Sequence, residues 1–96
     1  MLYLLFCEDK ADSENVRLAT REDHLGYVGS QSDRVKLAGP MFSEDGQRMV
    51  GSMFIIEADS IETAREFNAN DPYTSAGLFG SVIVRPFKQV VPAPGA

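Results

Sequence analysis

His24 is the only histidine in the chain, and it closes the run Arg21-Glu22-Asp23-His24. Histidine is the side chain whose ordinary pKa, roughly 6.5, lies near neutrality, so it is the first candidate for moving a proton. A carboxylate to orient it is offered by Asp71, in the unusual stretch Asn70-Asp71-Pro72-Tyr73-Thr74-Ser75-Ala76-Gly77-Leu78-Phe79. In a catalytic pair such a carboxylate fixes the imidazole tautomer and supports the charge that forms on it. Arg21 could bind a carboxylate or steady an enolate oxygen, Tyr73 could donate from its phenol, and Ser75 could position a ligand. Each residue also has a plainer reading. His24 could be a half-buried helix residue bonded to a carbonyl, Asp71 an Asx turn before Pro72, and Arg21 a solvated helix residue. Tyr73 could pack beside Pro72, and Ser75 could be ordinary surface.

These residues must be placed by a small set of elements. Leu2–Cys7 is apolar on both alternating faces, which predicts a central strand covered on both sides. Glu8–Asp12 reads as a polar loop, with Glu8, Asp9 and Asp12 as solvated acids. Asp12 or Ser13 can cap a helix running to about Gln31. Leu18, Leu25 and Val28 repeat as its apolar stripe, with Arg17, Arg21, His24 and Val28 on a neighbouring face.

Val35–Ala38 predicts a short strand ending at Gly39-Pro40, and Ser43-Glu44-Asp45-Gly46 a turn. Val50–Ala58 predicts a strand paired with it as a hairpin. Asp59 and Glu62 resemble a capping box opening a second helix, whose inward face is Ile61, Ala64 and Phe67. Pro72 ends that helix near Asn70. Ser81–Phe87 predicts the last strand, at a sheet edge where Pro86 is tolerated.

The order is β-α-β-β-α-β. With right-handed crossovers it gives a ferredoxin-like α+β sandwich: a four-stranded antiparallel sheet with two helices on one face. Residues 1–88 make the domain, and 89–96 a Pro-rich C-terminal tail. The second sheet face calls for a second copy of the chain.

Composition narrows the function. The net charge is −5, from 14 acids and 9 bases. Scattered bases and an acidic balance argue against nucleic-acid binding. One cysteine, Cys7, and one histidine exclude an internal disulfide and a Cys/His zinc cluster. Cys7 reads as a small hydrophobe, and a free thiol suits a reducing cytoplasm. The apolar N-terminus lacks a basic flank and meets Glu8-Asp9 at once, so neither a membrane span nor a signal peptide is expected. No phosphate-binding glycine fingerprint is present.

Several motifs together resemble the YciI-like family over about residues 1–88. They are Met1-Leu2-Tyr3, Arg21-x-x-His24, Ala38-Gly39-Pro40, Gly51-Ser52, Asp71-Pro72-Tyr73-x-x-Ala76-Gly77-Leu78-Phe79 and Val84-x-Pro86-Phe87. The resemblance implies a dimeric α/β barrel, two ferredoxin-like sheets packed face to face, and a site built on a histidine and an aspartate. His24 and Asp71 stand at those positions. It also implies isomerisation, dehydrochlorination or oxygenation of small ring compounds, often without a metal. The chain departs from the pattern in Gln31–Leu37 and in a short loop after Pro40.

The residues and the resemblance support a cofactor-independent enzyme. His24 would be general base or acid and Asp71 its orienting partner, acting on a small carbonyl or hydroxylated ring compound. The expected assembly is a homodimer, with higher association open. The competing reading is a metabolite-binding or regulatory module that holds a ligand without changing it. A third reading is structural, with His24 and Asp71 simply tying helices together.

Overall fold

The computed structural model describes residues 1–95. Its strands are β1 (Leu2–Asp9), β2 (Val35–Phe42), β3 (Met49–Glu57) and β4 (Phe79–Phe87). Its helices are α1 (Glu14–Ser30), α2 (Ile61–Ala69) and the single-turn α3 (Pro72–Ser75). The strands form one antiparallel sheet in the order β2-β3-β1-β4. This is the expected ferredoxin-like α+β sheet with its helices on one face.

β1 is central because it can bury both sides. Tyr3, Leu5 and Cys7 point into the core with Phe54 and Ile56 of β3, Val84 of β4, and Ala64 and Phe67 of α2. Leu2, Leu4 and Phe6 face the other way and are only half-buried. β2 and β4 are the edges, and each carries a proline, Pro40 and Pro86, where a missing N–H costs no ladder bond to a neighbour. β2 extends past the expected Gly39-Pro40 stop to Phe42, and β4 begins two residues before Ser81.

Gly51 is required by close approach. A Cβ there would lie 2.5 Å from the Cys7 carbonyl oxygen, backbone that cannot move aside. The pairing shifts register between Glu8 and Asp9 and between Met41 and Phe42, at one end of the sheet. Irregular pairing of this kind re-aims side chains at a sheet rim.

The helices differ from the sequence expectation in three ways. First, α1 turns Arg17 and His24 to the core, while Leu18 and Leu25 are 64% and 55% exposed. The expected apolar stripe is therefore a flank of the helix, and the neighbouring polar face is the buried one. Second, α2 is capped by Ser60, whose Oγ accepts from the Thr63 N–H at 3.2 Å, and not by Asp59. Third, the Asp-Pro-Tyr segment forms α3. Pro72 ends α2, as expected, and then opens α3 at its first position, where its fixed φ suits a helix start.

β4 ends at Phe87, and residues 88–95 carry neither helix nor strand. The last residue of the expected tail, Ala96, lies outside the described residues.

Candidate active site

Asp71 sits at the junction of α2 and α3 with extended backbone, φ −69° and ψ 130°. As the N-cap of α3, its Oδ1 accepts from the Tyr73 N–H at 2.9 Å. The same oxygen lies 2.9 Å from His24 Nδ1 on α1. The plain and the functional readings of Asp71 thus hold together: one carboxylate oxygen caps a helix and meets the histidine. The contact is made within one chain, a point the sequence leaves open.

A carboxylate only accepts, so Nδ1 carries a proton toward Asp71, and in the neutral imidazole Nε2 is the nitrogen left with the lone pair. Nε2 has no hydrogen-bond partner among the described residues, and His24 lines a cavity of about 140 Å³. Asp71 is 0% exposed, and its Oδ2 has no hydrogen-bond partner among the described residues.

The ring plane of His24 is set by stacking. Tyr73 lies parallel to it with centroids 3.9 Å apart and planes 14° apart. The Arg17 guanidinium stands 4.7 Å from the Tyr73 ring centre. Arg17 and His24 are two helical turns apart, about 10.5 Å of rise, and the Tyr73 ring fits between them. Phe54 meets the imidazole edge-on at 6.0 Å.

Arg17 is held in turn by Asp9. Arg17 Nε donates to Asp9 Oδ2 and Nη2 to Oδ1, both at 2.8 Å. The same Nη2 donates to Ser52 Oγ at 3.0 Å. Burial disfavours the Arg17 charge, but the Asp9 carboxylate outweighs it and holds the guanidinium above its ordinary pKa. Asp9 therefore does not belong to a solvated loop. It ends β1 with a side chain only 6% exposed, because the buried guanidinium needs a counter-charge.

Burial also holds the Tyr73 phenol above its ordinary range, against the pull of Arg17 and Arg21, so it stays protonated and able to donate. The Cys7 thiol is pushed up to about 12, first by burial and then by Asp71 and Asp9. It is a buried, protonated hydrophobe, in keeping with its sequence reading.

The cavity thus brings together His24, Arg21 and Tyr73, with Asp71 directly behind His24. Ser75 ends α3 exposed and does not line it. Arg17, Asp9 and Ser52 were missed from sequence as site residues. The available signals were the place of Arg17 on the His24 face of α1 and the place of Ser52 in the Gly51-Ser52 motif; Asp9 carried none. The rest of the wall is largely apolar, including Leu25, Val28, Pro40, Met49 and Phe54. Among the described residues no three His, Cys, Asp or Glu side chains are grouped to hold a metal ion.

The fold and the site together are those of a ferredoxin-like α+β domain in which a buried His–carboxylate contact opens on a small, mostly apolar cavity. Residues 1–88 match the YCII-related domain, and the chain belongs to that family. It is 39% identical to Protein YciI of Escherichia coli O6:H1 over 97 residues, covering 94% of this chain and 99% of that protein. An uncharacterized protein of Haemophilus influenzae is 34% identical with the same coverage.

Among solved structures, the 5-chloro-2-hydroxyhydroquinone dehydrochlorinase TftG of Burkholderia phenoliruptrix AC1100 superposes with a TM-score of 0.87 at 34% identity. The match covers 95% of this chain and 97% of that one, and TftG was solved in complex with 2,5-dihydroxybenzoquinone. Protein Atu4242 of Agrobacterium tumefaciens, at 19% identity and TM-score 0.54, covering 98% of both chains, shares the fold alone.

Proposed function

We propose that this protein is a cofactor-independent enzyme acting on a small hydroxylated ring or carbonyl compound. The carrying observation is the 2.9 Å contact between His24 Nδ1 and Asp71 Oδ1, on the wall of a mostly apolar cavity. Asp71 holds the proton on Nδ1, and Nε2 takes a proton from the substrate. Tyr73, kept protonated, and Arg21, at the exposed rim, answer the negative charge left on the substrate oxygen. Isomerisation returns the proton at another atom. Elimination instead expels a leaving group with its bonding pair, so that HX is lost overall. The dehydrochlorinase activity of TftG supports the second course.

We further propose a homodimer formed through the open sheet face, in a reducing compartment such as the cytoplasm, where the free Cys7 is stable. Leu2, Leu4, Phe6, Ile83 and Phe87 share that face by strand register, and Ile83 and Phe87 are 43% and 39% exposed. No described helix is long and apolar enough to cross a membrane.

The test is chloride release from 5-chloro-2-hydroxyhydroquinone by wild type and His24→Gln. Wild type is expected to turn over, and His24→Gln to fall by about 10²–10⁴-fold with the fold intact. Full activity in His24→Gln would overturn the mechanism. Binding of 2,5-dihydroxybenzoquinone without any turnover would favour the metabolite-binding reading instead.

A further inference from the structure

We infer that the site takes its substrate as an oxyanion already ionised in solution, with the Arg21 guanidinium as the counter-charge. This assignment rests on the enzyme reading above and deepens it. There Arg21 answers charge that develops during the reaction; here it selects charge that the ligand brings with it.

The chain carries 14 acids against 9 bases, yet the cavity reverses that balance. Arg17, Arg21 and His24 line it, and none of the described residues on its wall is Asp or Glu. The two buried carboxylates of the site stand outside the lining, and both are committed. Asp9 accepts two 2.8 Å bonds from Arg17, so that guanidinium is already neutralised. Asp71 Oδ1 meets His24 Nδ1 and the Tyr73 N–H, each at 2.9 Å.

Arg21 has no such partner. Among the described residues it makes no ion pair. Its own helix offers none, because an acid on α1 would reach it only from three or four positions away. Those positions hold Arg17, Leu18, His24 and Leu25. Glu22 and Asp23 follow it directly and leave the helix on other faces. Arg17, one turn back, is a like charge, which slightly disfavours the helix. Arg21 therefore adds nothing to α1 that an ion pair would explain.

An unpaired cation at the rim of a mostly apolar cavity suits an anion. Apolar walls limit screening by water, so attraction to a ligand is stronger there than on open surface. The guanidinium acts on the cavity as well as on solvent. Burial is the larger effect on the Tyr73 phenol, but Arg17 and Arg21 both oppose it. The plainer role for Arg21 is a solvated helix residue.

The experiment compares two quinones on the full chain by calorimetric titration at neutral pH. In 2,5-dihydroxybenzoquinone each hydroxyl is conjugated to a carbonyl, as in a vinylogous carboxylic acid, and is ionised. In 2,5-dimethoxybenzoquinone the same oxygens have no proton to lose. Arg21 is exposed and glutamine is a good helix former, so Arg21→Gln is the variant. It is expected to weaken the ionised quinone about tenfold and to leave any binding of the neutral one unchanged. Added salt should weaken wild type far more than the variant. Equal affinity of both proteins for the ionised quinone would overturn the assignment and return Arg21 to solvent. So would wild type that binds the neutral quinone as tightly as the ionised one. An equal loss of both quinones in Arg21→Gln would mean that the side chain shapes the cavity rather than charges it, and would overturn it too. Wild type that binds neither quinone also overturns it, while chloride release judges the enzyme reading separately. Should Arg21→Gln fail to fold, the salt dependence of wild type and its preference between the two quinones decide.

Discussion

The buried ion pair of Arg17 and Asp9 is tolerated only while both partners are present. Arg17 is 3% exposed and donates twice to one carboxylate. Removing the carboxylate charge strands a cation in a desolvated place. Asp9→Asn is expected to lower stability by about 3–5 kcal/mol, read from urea unfolding, while Arg17→Met with Asp9→Leu recovers much of that loss. Cys7 makes a second prediction, on pH. Its thiol titrates at about 12 in the fold against an ordinary 9.0. Between those values the unfolded chain has released the proton and the folded chain has kept it. The contribution is therefore whole below pH 9 and is lost as pH rises toward 12, at about 1.4 kcal/mol per pH unit. Thermal unfolding of Cys7→Ala should fall less steeply above pH 9 than wild type. A residual slope remains, because burial also holds Tyr73 and Tyr27 above their ordinary values.

At the scale of elements, α1 and the α2–α3 junction make the site. A helix that buries an arginine and a histidine stands only if each finds a partner. Asp9 and Asp71 supply those partners from β1 and from the N-cap of α3. The periodicity of Leu18, Leu25 and Val28 was legible, but it marked a flank, because hydropathy alone cannot show that charges will be paired. Gly51 tests the packing of β1 against β3. An added Cβ would meet the Cys7 carbonyl oxygen at 2.5 Å, so the strands must part. Gly51→Ala should cost roughly 1–3 kcal/mol by chemical denaturation, as overpacking does elsewhere. A loss below a few tenths would show that the sheet gives way easily.

At the scale of the molecule, one sheet face is covered by helices and the other is open. The open face carries half-buried Leu4 and Phe6 on the central strand, with exposed Ile83 and Phe87 on the edge strand. The proposed homodimer would cover it. Ile83 is 43% exposed, so a charge there leaves the protomer's own core untouched. Ile83→Asp should shift sedimentation from dimer to monomer without lowering the secondary-structure content. A wild-type monomer at micromolar concentration would overturn the dimer.

Alternation and prolines act over a few residues, so the order of elements was legible in the sequence apart from the single-turn α3. The sequence marked β1 as central through its two apolar faces, and β4 as an edge through Pro86. It also singled out His24 and Asp71, whose types are rare or oddly placed. It took the folded chain to show that these two meet within one chain, that Tyr73 slots between Arg17 and His24, and that the Asp9 side chain is buried. The physical reason is distance along the chain. Asp71 lies far from His24 in sequence, and their approach depends on how α3 packs on α1, which no local pattern encodes. The role of Arg17 was equally hidden, since an arginine on a helix face reads as solvated until its carboxylate is found on another strand.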